Sequence, residues 1–171
     1  MKSFKEFLNE SSLSRIKSKS DKGGMAIISG SRGDKSAKEN KARAKQLDKD
    51  IKGKGLPGAT KVTGSYVEKG DDGKEKKVKE RSHVVTSGKK GKRAFKKAVK
   101  SLGKKYGQDS VLTQTKKTGT LSATRKGGLG KKPKNKRPLG STKRVGLGKF
   151  KPQGKNPEGQ SQIKGKTFTY G

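Results

Sequence analysis

The chain has no cysteine, no tryptophan and one histidine, His83. Without thiols it forms no disulfide, no thiolate metal site and no thiol nucleophile. One imidazole argues against a histidine-built metal site or a catalytic triad. Apolar runs are short, and none reaches the length of a membrane-spanning helix. Hydrophobic residues make up 24% and aromatics 5% of the 171 residues. That is too little for a core through the whole chain, so part of it is expected to be disordered unless a partner holds it. Acids are scarce too: 14 Asp and Glu face 47 Lys and Arg, a formal net charge of +33. Such a chain repels itself and implies a polyanionic partner, nucleic acid ahead of an anionic membrane surface.

What is present is unevenly spread. Residues 89–171 hold 25 basic and 2 acidic side chains, the acids being Asp109 and Glu158. The apolar residues cluster between Met25 and Leu112. Four segments follow from this. In the head, residues 1–10, Phe4, Phe7 and Leu8 share one face of a short helix, opposite Lys2, Lys5, Glu6 and Glu10. Ten residues are too few for a stable isolated helix, which suggests a docking peptide that orders on a partner. Residues 11–24, rich in Ser and Lys, read as a flexible linker. Residues 25–115 read as a compact domain. Residues 116–171, with 16 basic residues and one acid, read as a long basic arm, extended or disordered.

The middle segment carries the secondary-structure signals. Met25–Ser29 reads as a buried strand. Ser36 and Glu39 form a capping box for a helix with Ala44, Leu47 and Ile51 on its apolar stripe, ending near Gly53. Residues 60–68 read as a strand in which Gly64 marks a bulge. Turn residues around Asp72-Gly73 lead to a return strand from Val78 to Thr86. A second helix over 91–106 has Phe95, Val99, Leu102 and Tyr106 in line, and Gly107 stops it. A last strand runs from Ser110 to Thr115. The order βαββαβ predicts an α+β, ferredoxin-like domain: an antiparallel sheet with two helices on one face.

Several motifs fail on context. Gly53-Lys-Gly-Leu-Pro-Gly58 matches a dinucleotide fingerprint but follows a helix and contains Pro57. Gly159–Thr167 is one residue too long for a P-loop and has no helix after it. Arg32-Gly-Asp34 is a tripeptide that a loop of this composition produces by chance. His83 reads as structural or surface-exposed, since no orienting partner for a general base is evident. Glu68 and Glu80 flank the hairpin and are candidates to face each other, although charge balancing by nearby Lys is the simpler reading. No carboxylate cluster has metal spacing, and neither a metal nor a cofactor is expected.

The second helix is basic on every exposed side, with Lys92, Arg93, Lys96, Lys97, Lys100, Lys104 and Lys105 and no acid. A one-sign face of this kind reads as an electrostatic footprint for phosphates, largely independent of base sequence. Arg125, Lys131, Lys132, Lys136, Arg137, Lys143 and Arg144 extend it into the arm.

Met1–Glu10 resembles the capsid-targeting leader of T-even-like phage internal head proteins. Leu8-Asn9-Glu10 matches that family's processing site, with cleavage implied before Ser11. The resemblance implies a non-enzymatic protein, trimmed by a prohead protease, held with the phage core inside the virion and bound to double-stranded DNA. It would be ejected into the host cytoplasm, and no membrane is involved. Residues 25–115 separately resemble a small uncharacterised bacterial and phage domain family. The matching residues are Ala26-Ile-Ile28, Glu39-Asn40, Gly64 with Glu68, Glu80 with Ser82, and Gly107-Gln108 with Val111. That resemblance makes Asn40, Glu68, Ser82 and Gln108 candidates to line a ligand site, although such residues more readily serve local caps and turns. An injected inhibitor of a host protein and a ribosome- or RNA-associated basic protein are the alternative readings; an enzyme using the Glu68, Ser82 and Gln108 region is a third.

Overall fold

A computed structural model of the chain describes residues 15–69, 74–126, 140–145, 160–163 and 166–169. The leader with Leu8, Glu10 and Ser11 lies outside the described residues, as do Lys131, Lys132, Lys136 and Arg137.

The protein is α+β. In chain order its elements are α1 (residues 15–22), β1 (Met25–Ser29), α2 (Ala37–Gly53), β2 (Thr60–Lys69), β3 (Glu75–Thr86), α3 (Lys92–Lys105), β4 (Ser110–Gln114), β5 (Gly119–Ala123), β6 (Thr142–Val145), β7 (Gln160–Ile163) and β8 (Lys166–Thr169). The strands form one sheet in the order β6-β5-β4-β1-β3-β2-β7-β8. All its pairings are antiparallel. Its centre, β4-β1-β3-β2, is the strand order of the expected βαββαβ unit, in which each helical crossover skips one strand. The sheet is wider than that unit by four strands.

Two apolar clusters lie on opposite faces, as the two-residue period of a strand requires. Ala26 and Ile28 of β1, with Val85 and Val111, pack under Leu47 and Ile51 of α2 and Phe95, Val99 and Leu102 of α3. Met25 and Ile27, with Val62, Val84 and Leu112, pack against Ile16 of α1 on the other face. Strand β1 is thus buried on both sides and anchors the centre of the sheet.

The helix ends follow their local chemistry. The Ser36 hydroxyl accepts from the Glu39 amide, and the Glu39 carboxylate accepts from the Ser36 amide at 2.8 Å, the reciprocal capping box. Gly107, at φ 67°, adopts the left-handed turn that ends the α3 connection.

Three expectations are corrected. The linker at 11–24 contains α1, because Ile16 finds an apolar cluster to cover and Lys17 pairs with Asp21 one turn on at 2.8 Å. Gly64 makes no bulge; β2 pairs with β3 residue for residue from Thr60 to Lys69. The arm beyond residue 115 supplies β5, β6, β7 and β8, since the outer edges of β4 and β2 offer unpaired backbone groups that these segments satisfy.

Candidate functional site

The central strand β1 stops at Ser29 while its neighbour β3 continues to Glu75. A cleft of about 1430 Å³ opens beyond that end. Its walls are the loop after β1 with the start of α2, residues 79–81 of β3, and the α3–β4 turn at 107–110.

The loop is held by side chains converging from distant parts of the sequence. The Asn40 amide carbonyl accepts from the Arg32 amide at 2.9 Å, and its NH2 donates to the Arg32 and Lys35 carbonyls. Arg32 donates to the Gly107 carbonyl at 2.9 Å and to Asp34 at 2.7 Å. Gln108 donates to the Ser31 carbonyl at 3.2 Å. Arg43 donates to the carbonyls of Gly30 and Tyr106, both at 2.7 Å, with its guanidinium 5.4 Å from the centre of the Tyr106 ring. The two loops that face each other across the end of β1 are therefore tied together, and the cleft wall is preorganised.

The cleft mixes charge signs in a chain that is otherwise overwhelmingly basic. Asp34, Glu80 and Asp109 line it beside six basic residues, Arg32, Lys35, Lys38, Lys41, Lys79 and Arg81. The Arg32 hydrogen bond holds the Asp34 carboxyl below the usual carboxylate range. Asp109 is hydrogen-bonded by Arg125, whose guanidinium it holds more firmly protonated. Glu80 stands on β3, half-buried.

Of the sequence candidates, the structure brings Asn40 and Gln108 into this cleft. It leaves Ser82 out: Ser82 is buried on β3 and does not line the cleft, whereas its exposed neighbour Arg81 does. Glu68 pairs in register with Lys76, and Glu80 with Gly64, so the two carboxylates do not oppose each other. Arg32 and Arg43, which organise the loop, carry no sequence signal beyond their positive charge. On α3, Lys92, Arg93, Lys96, Lys97, Lys104 and Lys105 are exposed and Lys100 is half-buried. Lys105 is engaged with Asp50 at 2.7 Å. Lys143 and Arg144 are exposed on β6.

The fold is thus an α+β sheet with a polar cleft, lined by both charge signs, at the end of its central strand. The chain belongs to the S-adenosylmethionine lyase family, whose sequence model matches residues 26–170. A comparison with curated proteins finds no match.

This membership overturns the functional expectations drawn from composition and from the resemblance of the leader. The chain is not an internal head protein of the T-even type, and the reading as a non-enzymatic, DNA-binding component of the capsid falls with it. The match also replaces the resemblance of residues 25–115 to an uncharacterised domain, and it runs through the supposed arm to residue 170. The physical reason is that net charge reports the solvent-facing side chains. A chemistry carried by a few residues in one cleft leaves almost no trace in it.

Proposed function

We propose that this chain is a lyase that cleaves S-adenosylmethionine, and that the cleft at the end of β1 is where it does so. The observation that carries the reading is the family match across residues 26–170, which contains every wall of the cleft. The substrate carries a sulfonium and an ammonium cation together with one carboxylate. The mixed wall suits that pattern, with the carboxylates of Asp34, Glu80 and Asp109 among its lining for the cationic part and Arg81 or Lys79 for the carboxylate. A carboxylate near the sulfonium attracts the cationic substrate into a protein that otherwise repels it.

A lyase breaks the carbon–sulfur bond with no water in the balance. The bond pair leaves with sulfur, which departs as a neutral thioether, methylthioadenosine. No acid is needed for that departure. The replacing electron pair comes from within the aminobutyrate part, either from a C–H bond, whose proton passes to a carboxylate of the cleft, or from the substrate's own carboxylate closing on the carbon, which releases no proton. What the protein supplies is orientation, which the tied loops provide, and a dry wall that keeps water from the same carbon.

The test is incubation of the purified chain with S-adenosylmethionine in 18O-labelled water, with products followed by mass spectrometry. Methylthioadenosine with an unlabelled lactone or unsaturated amino acid at early times is the expected result. Label entering with the first turnover means hydrolysis instead, and S-adenosylhomocysteine means methyl transfer. Glu80→Gln is expected to lower kcat/KM by at least ~100-fold, the scale for losing a placed charge in an active site.

A further inference from the structure

A second pocket, of about 550 Å³, lies beside the cleft between α2 and the β2–β3 pair. Lys41 and Lys45 of α2, Lys61 of β2 and Arg81 of β3 bring four cationic side chains to it, and Thr63 adds a hydroxyl. The wall also includes His83, which is 1% exposed.

His83 is the unusual member. Neither of its ring nitrogens has a hydrogen-bond partner, although its Nε2 lies 3.2 Å from Asp48 Oδ1 off the hydrogen-bonding line. The charged groups around His83 are Asp48, Lys41 and Lys45 from α2, Lys61 from β2 and Arg81 from β3; β1 offers only the backbone of Ile28. Asp48 is shared, since its other oxygen takes Lys61 at 3.0 Å. Among the described residues no carboxylate reaches ion-pair distance of Lys41, Lys45 or Arg81. The pocket therefore has a surplus of positive charge and a hydroxyl donor.

We propose that this pocket is a binding site for a phosphate-bearing small molecule, with Lys45, Lys61 and Arg81 on the phosphate and the buried His83 ring behind the pocket wall, where it senses the occupant. A phosphate suits the site better than a carboxylate, because it carries a second negative charge and enough oxygens to meet several point-like donors at once. The volume leaves room for an organic part beyond the phosphate. Lys41 and Arg81 border both this pocket and the cleft, so an occupant here bears on side chains that face the cleft. The inference stands apart from the lyase reading, because phosphate binding is read without S-adenosylmethionine.

The single histidine makes the test direct. The imidazole resonances of His83 in the full chain belong to no other residue, so their shifts report this site alone. Titration with inorganic phosphate at constant ionic strength, balanced with chloride, is expected to move them saturably. Arg81→Gln and Lys45→Gln are each expected to weaken the apparent affinity by about fivefold or more, roughly the loss of one charged contact. Lys96→Gln with Lys97→Gln, on the far side of α3, is expected to leave it unchanged. Imidazole signals that stay still while phosphate binds elsewhere would overturn the proposal. So would equal shifts with chloride, or an equal loss in the α3 variant, either of which would show diffuse attraction to a basic protein.

Discussion

Tyr106 shows how one side chain joins the core to the cleft. Its ring is buried in the helix-side core, its hydroxyl donates to Asp50 at 2.7 Å, and its carbonyl receives Arg43. Burial and the Asp50 carboxylate push the phenol well above its usual range, so it stays a donor. Lys105, followed by the tyrosine hydroxyl, holds Asp50 below its ordinary value. Tyr106→Phe keeps the packing and the stacked Arg43 while removing one hydrogen bond to a charged group. It is expected to cost about 1–2 kcal/mol in urea unfolding, with little effect on the cleft. His83 gives a second prediction at this scale. Burial holds its pKa below the ordinary 6.5, so the unfolded chain binds the proton more tightly than the folded one. The contribution of neutral His83 is complete above that ordinary value and is lost as pH falls below it. Urea midpoints of the wild-type chain are expected to drop between about pH 7.5 and about pH 5.5, and His83→Gln is expected to flatten that part of the curve.

At the scale of elements, the contact between α3 and β4 turns on Gly103. A Cβ there would meet Val111 Cγ1 at 2.4 Å and Thr124 Cγ2 at 3.0 Å, both in buried residues. In an exposed helix, alanine would stabilise by about 1 kcal/mol over glycine. Here the steric term wins, because overpacking a closed core costs about 1–3 kcal/mol. Gly103→Ala is therefore expected to lower the thermal midpoint, whereas helix propensity alone predicts a rise. The same contrast explains what was legible in the sequence. Helices α2 and α3 and strands β1 to β4 carry their own apolar period or caps, and their bounds fall within a few residues of expectation. Helix α1 has only Ile16 to mark its buried face, and Ser20, also buried, reads as a linker residue. Strand β6, Thr-Lys-Arg-Val, has hardly any apolar alternation and exists because β5 offers it an edge. For the site, Asn40 and Gln108 stood out by residue type. The cleft itself is built where β1 ends, from residues more than seventy positions apart, and no local pattern reports such a meeting.

For the whole molecule, the charge of +33 and the width of the sheet make opposite demands. Like charges favour an expanded chain, and screening relieves them over about 10 Å at 0.1 M salt. The thermal midpoint should accordingly rise as sodium chloride is raised from low to moderate concentration. Residues 116–171 separate the two demands. They carry 16 of the basic residues and one acid, so a chain ending at Thr115 has much less self-repulsion. If those residues were only a charged arm, removing them would stabilise the domain. In the sheet, however, β5 pairs with β4 over five residues, and Leu121 packs against the cluster formed by Ile16, Met25, Ile27, Val62, Val84 and Leu112. Losing those backbone bonds and that cover is expected to cost about 3 kcal/mol or more, which exceeds the relief of screened surface charges. The truncated chain is thus expected to unfold at lower urea concentration than the full one in both low and high salt. A midpoint that rises on truncation, and rises most in low salt, would restore the arm and take β5 out of the sheet.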